Sequence, residues 1–188
     1  FDVVDAQARP GALECVAVNG VLGLRAAIRY SRADTGPYLY KLITFENTGV
    51  SPFLLRAVEL EHLSVTGESI TYTVDPAFPS LGDWGQPVYT ESLWFGVEFP
   101  AARSAATKDG VIILRHHPGV ELQPGASYTT KRAMIGAAPA GAVQHAFFDY
   151  VRTITPWPNP PRANIYWNGF RVVKPPDRLP QGIAMIAY

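Results

Sequence analysis

Apolar and polar residues alternate with a period of two along most of this chain, the mark of half-buried strands. Leu13–Val18 and Val21–Ile28 flank Asn19-Gly20, a pair that tolerates positive φ and predicts a hairpin. Tyr38–Glu46 alternates with Tyr38, Tyr40, Leu42 and Thr44 on one face and Leu39, Lys41, Ile43 and Phe45 on the other. It ends at Asn47-Thr48-Gly49, a turn cluster. Strands are further expected at Phe53–Glu61, Ser69–Val74, Val88–Phe99, Val111–His116, Ser127–Ala137 and Ala163–Val173. Many short strands bounded by Gly, Pro and Asp predict an all-β antiparallel sandwich.

One stretch keeps a different period. Val143, Phe147, Tyr150, Val151 and Ile154 fall on one side of an α-helix, with His145, Asp149 and Arg152 opposite. Pro156, Pro158, Pro160 and Pro161 then make a stiff extended linker. Pro180–Tyr188 has the pattern of a helix start. The expected organisation is a sandwich over 1–140, a helix and Pro-rich linker over 141–162, and a strand and helix start over 163–188. An apolar last stretch reads as a cut end, and an initial Phe1 reads as following something removed or omitted.

Composition narrows the partners. The 188 residues carry 16 basic and 16 acidic side chains without a basic run, which argues against nucleic acid. No apolar run reaches the ~18–20 residues of a bilayer span, so no membrane partner is expected. Seventeen prolines and 16 glycines exceed the ordinary ~12%, as in a loop-rich folded chain. Cys15 is the only cysteine, which leaves neither an intrachain disulfide nor a thiolate metal site. No cofactor and no metal are expected.

Phosphate-loop, nucleophile-elbow and H-E-x-x-H patterns are absent. His116 and His117 are adjacent, so on a strand they point to opposite faces, one inward and one at the rim before Pro118-Gly119. Glu59 and Glu61, two apart, are expected on one face roughly 7 Å apart, either solvated or as an acid and base pair. Glu98 lies among Leu93, Trp94, Phe95, Val97 and Phe99, so it either pairs with a cation or faces a cleft. Trp84 lies in the polar turn Gly82-Asp83-Trp84-Gly85-Gln86-Pro87. Flat rings beside planar polar groups suit sugars, whose C–H faces stack while hydroxyls hydrogen-bond. Asp83, Trp84, Gln86, Trp94 and Glu98 are therefore candidate ligand contacts. Trp94 and Trp167 also fit a core, and Trp157 fits a rigid linker.

Several stretches resemble one family. Gly85-Gln86-Pro87-Val88-Tyr89, Leu93-Trp94-Phe95-Gly96-Val97-Glu98-Phe99-Pro100, His117-Pro118-Gly119 and Leu122-Gln123-Pro124-Gly125 are similar to stretches of bacterial α-galactosidase-like glycoside hydrolases. Tyr128-Thr129-Thr130-Lys131, Gly141-Ala142-Val143 and Ala146-Phe147-Phe148-Asp149-Tyr150-Val151 continue the likeness, which runs over about residues 35–188. The resemblance implies an N-terminal β-supersandwich of the galactose mutarotase-like kind, then a linker helix and a catalytic (β/α)8 barrel. Ala163–Phe170 then resembles the first barrel strand; Tyr166 matches, but Gly169 stands where the family has Trp. The family's catalytic carboxylates lie on later barrel strands, so none transfers.

Three functional expectations follow. The first is a non-catalytic carbohydrate-associated domain that binds glycan or packs against a glycoside hydrolase barrel, secreted or periplasmic by the same resemblance. A small glycosidase using Glu98 with Glu59 or Glu61 is the second, with a mutarotase-like variant using His116 or His117. The last is a structural module that docks on a barrel or on a second copy of itself.

Overall fold

The computed structural model describes residues 1–67, 69–72, 84–107 and 109–154. The chain divides into two compact units, Phe1–Asp149 and Tyr150–Tyr188. Of the second, the described part is 150–154, the last turn of a helix, in which Thr153 Oγ1 donates to the carbonyl of Tyr150. The expected strand at Ala163–Val173, the linker prolines and the helix start at Pro180–Tyr188 lie outside the described residues, as do Asp83, Trp157 and Trp167.

The first unit is an antiparallel sandwich. Its strands are β1 (Asp2–Arg9), β2 (Ala12–Asn19), β3 (Leu24–Arg32), β4 (Tyr38–Asn47), β5 (Phe53–Leu55), β6 (Val58–Ser64) and β7 (Thr71–Tyr72). They continue as β8 (Val88–Tyr89), β9 (Leu93–Val97), β10 (Arg103–Ala106), β11 (Val111–His116), β12 (Val120–Leu122), β13 (Ser127–Thr129) and β14 (Ala133–Ala137). Helix α1 spans Val143–Ile154. A nine-stranded sheet runs β1-β2-β3-β4-β14-β9-β8-β7, with β13 also on β4. Facing it are a three-stranded sheet, β10-β11-β6, and the pair β12-β5.

The core lies between the layers. Ala26, Ile43, Phe45, Val88, Phe95 and Ala133 from the large sheet pack with Leu55, Val58, Leu60, Ile112, Leu114 and Leu122 from the smaller ones. Leu60, Ile112 and Leu114 have no exposed surface, and burial of each contributes roughly 1.5–3 kcal/mol. On β4, Ile43, Phe45 and Asn47 are buried at every second position, as the alternation requires.

The hairpin between β2 and β3 forms, but not with a two-residue turn. Asn19 pairs with Leu24, leaving 20–23 as a four-residue connection. Asn19 Oδ1 accepts from the Leu22 amide, and Gly23 supplies the positive φ of 61°. Val21, expected to begin a strand, is at the tip and 97% exposed. Asn47 ties this end together from a fully buried position. Its Nδ2 donates to the carbonyls of Ser51 and Leu122, both at 2.8 Å, and its Oδ1 accepts from Gly49 at 3.0 Å.

Three expected strands are broken, Ser127–Ala137 among them, which splits into β13 and β14. Phe53–Glu61 splits into β5 and β6, and Val88–Phe99 splits at Thr90, whose amide reaches Leu93 O and whose hydroxyl accepts from Leu93 N. Strands β1, β10 and β12 fall where the alternation gave no strand. Helix α1 follows Gly141, at φ 81°, and forms where the 3.6-residue period placed it. Among the described residues no helix is long and apolar enough to cross a membrane.

Candidate functional site

Trp84 stands at the edge of the small sheet, held by an isolated bridge to Arg103. The next residue, Gly85, has φ 65° and donates its amide to Ala102 O at 2.9 Å. A Cβ at Gly85 would meet Pro100 O at 2.7 Å, so this close approach of two backbones requires glycine. On this turn 42% of Trp84 is exposed, while Pro87 and Val88 are buried. Its ring centroid lies 5.9 Å from that of His117, tilted by 43°. His117 is itself exposed at the end of β11, and Gln86 is half-buried beside the turn. Two adjoining exposed rings next to a planar amide can stack on an apolar C–H face and hydrogen-bond its rim. His117 escaped the sequence reading as a partner of Trp84, because the two are brought together by the β10–β11 pairing, 33 positions apart in the chain.

His116 points the other way, as adjacent strand residues must. It is 3% exposed, edge-on to Phe99 at 5.1 Å and stacked on Tyr128 at 6.4 Å. Burial lowers its imidazole pKa, and the charges of Lys131 and His117 add to that. Among the described residues no group of three or more His, Cys, Asp or Glu side chains is placed to hold a metal ion.

The three candidate carboxylates lie apart. Glu59 and Glu61 do not share a face. Leu114 pairs with Glu61 and Arg115 with Glu59, so Leu60 is the extra residue of a β-bulge. A bulge of one residue reverses the alternation beyond it. Glu59 is thus exposed, bound to Arg115 and 3.3 Å from His62, and Arg115 holds its carboxyl below the usual carboxylate range. Glu61 is 2% exposed inside the sandwich. Its Oε2 accepts from Tyr30 at 3.0 Å and from Lys41 at 3.1 Å, while Oε1 meets no donor among the described residues. Burial and this carboxylate push the Tyr30 phenol well up. Tyr30 and Lys41, paired across β3 and β4, are polar residues at inward positions of alternating strands, a signal present in the sequence. Of the two expectations for Glu98, the cation is found: Arg132 Nε donates to its Oε2 at 2.6 Å, and the guanidinium lies 4.3 Å over the Tyr40 ring.

Trp94 is no surface contact. It has no exposed area, its ring covers Gly136 on β14, and Phe147 of α1 packs edge-on at 5.2 Å. The apolar character of β9 on both faces follows, because the helix covers the side that would otherwise face water. A groove of about 480 Å³ lies between 20–23 and 48–53, with the exposed Val21 and Val50 among its lining residues.

No family model and no curated protein matches the sequence. Several solved structures align with part of the chain at low identity. A GH36 α-galactosidase AgaA variant from Geobacillus stearothermophilus is 16% identical over 76% of this chain and 26% of its own, with a TM-score of 0.45. The galactosidase domain of the α-galactosidase-sucrose kinase AgaSK is 10% identical over 74% of this chain and 27% of its own, at 0.49. A polysaccharide lyase is 16% identical over 74% and 23%, at 0.47. This chain therefore spans about a quarter of each of those proteins. Likeness at this level concerns strand arrangement and does not assign an activity.

Proposed function

We propose that this chain is a carbohydrate-associated β-sandwich domain that contacts glycan through Trp84 and His117, with Gln86 hydrogen-bonding at the rim. The observation that carries the reading is the exposed Trp84 ring beside the exposed His117 ring, on a turn whose close approach to Pro100 requires Gly85. The motif resemblance across 85–151 supports a place beside a glycoside hydrolase barrel, outside the cytoplasm. Two exposed rings side by side fit weak binding along a polysaccharide rather than capture of a single sugar.

Binding to insoluble polysaccharides and turnover of chromogenic α- and β-glycosides, measured together, test this. Retention without turnover, lost in Trp84→Ala with the fold intact, is the expected result. Turnover abolished by Glu98→Gln would replace the reading with hydrolysis on the sandwich. Retention that Trp84→Ala leaves unchanged would remove the Trp84 shelf from it.

A further inference from the structure

Among the described residues the nine-stranded sheet ends in β1, which pairs on one side only, with β2. All eight of its residues are exposed. The unpaired side of such a strand presents a row of backbone N–H and C=O groups, a template for another strand. Edges are commonly blunted by lysine, proline, a bulge or a covering loop; β1 holds neither lysine nor proline, and its register shift between Val3 and Asp5 leaves Asp5–Arg9 regularly paired with β2.

The charges it does hold are antisymmetric. Asp5, Gln7 and Arg9 share one face, and a chain of hydrogen bonds links them: Gln7 Nε2 to Asp5 Oδ2 and Arg9 Nη2 to Gln7 Oε1, each 3.1 Å. A two-fold axis through Gln7 sets Asp5 opposite Arg9 of the second copy at both ends of the pairing. Ala6 then lies opposite Ala8 of the second copy, with no bulk to hold the strands apart. Residues directly opposite in an antiparallel pair have Cβ atoms about 4.5–5.5 Å apart, within reach of an ion pair. Moving the axis to Asp5 or to Arg9 instead places like charges face to face, and moving it to Ala6 or Ala8 leaves the charges without opposite partners, so the pattern favours the register about Gln7. On the other face, Val3, Ala6 and Ala8 pair with Ala17, Cys15 and Leu13, and the two-fold makes one continuous apolar strip of them.

We propose that two copies of this chain join edge to edge through β1, antiparallel about Gln7, extending the large sheet across a two-fold axis. An edge pairing of this length buries less than the ~1,200–2,000 Å² of a standard interface, so the dimer is a weak one. Sedimentation equilibrium up to about 1 mM chain tests it. A monomer–dimer equilibrium is expected, weakened about tenfold or more by Asp5→Arg or by Arg9→Asp and restored when the two are combined. Circular dichroism confirms that these exposed substitutions leave the fold unchanged. A monomer at every concentration, a dimer indifferent to both single swaps, or single-swap losses that the double swap does not restore would each overturn the proposal.

Discussion

Lys41 and Glu61 meet at 3.1 Å across the interior of the sandwich, one from each layer. Side-chain exposure is 12% for the lysine and 1% for the glutamate, so water screens the pair little. Removing one partner of such a pair strands the other charge at a cost of about 3–5 kcal/mol, whereas replacing both with apolar side chains is often neutral or better. Glu61→Ala is accordingly expected to lower stability by about 3 kcal/mol, and Lys41→Met with Glu61→Leu to recover most of that. Urea unfolding of the three chains decides it, and a silent single variant would refute the packing described.

Gly136 lies under the indole of Trp94, and a Cβ there would fall inside the ring. Forcing the indole aside also disturbs Phe147 and Tyr38, which pack on it at 5.2 and 5.8 Å. Gly136→Ala is expected to cost about 3 kcal/mol and to flatten the near-ultraviolet circular dichroism of the tryptophans. An unchanged spectrum and melting temperature would refute the contact.

Asn47 ties the 48–52 connection to the end of β12 by three hydrogen bonds from its amide and oxygen. Asn47→Ala leaves two carbonyls and an amide without their partner, a loss of about 3 kcal/mol. Asn47→Asp keeps the shape and the acceptor but loses both donations, so it is expected to be at least as harmful. Thermal unfolding of the two variants checks the order.

Acid acts on His116. Its folded pKa lies below the ordinary 6.5 through burial, with Lys131 and His117 adding to it. The unfolded chain therefore takes the proton first, and this group's contribution is present above about pH 6.5 and lost as pH falls through the folded value. His116→Gln is expected to flatten the stability profile below pH 6.5, read by urea midpoints across pH 4–8. An equal acid slope in the variant would assign the loss elsewhere, Glu59 with its depressed pKa being the next group.

Alkali acts on Tyr89, whose phenol is pushed by burial from 10.0 up to about 12. Here the folded pKa is raised, so stability is intact below pH 10 and is lost as pH rises through about 12. Tyr89→Phe is expected to reduce that alkaline loss, followed by fluorescence-detected unfolding between pH 9 and 12.

Much of the sandwich was legible in the sequence because one side of most strands faces a core and the other faces water. That condition writes a period of two into β4 and β11, and a period of 3.6 into α1. Strand β1 escaped because both its faces are exposed, so nothing forces an alternation on it. Residues 93–97 read as a site as easily as a core, because a strand covered on both faces has no polar side to give it away.

Among the described residues, the sequence by itself determined an all-β antiparallel chain with a helix over Val143–Ile154, the opposite facing of His116 and His117, and an exposed ring at Trp84. Each of these depends on local geometry: the pleat of a strand, the pitch of a helix, or a turn that glycine permits. Tertiary structure alone decided that Glu59 and Glu61 part company, that Trp94 lies under α1, that Tyr30 and Lys41 enclose a carboxylate, and that His117 joins Trp84. Those outcomes depend on a single bulged residue and on pairings between distant strands, and neither is fixed by the period of the residues nearby.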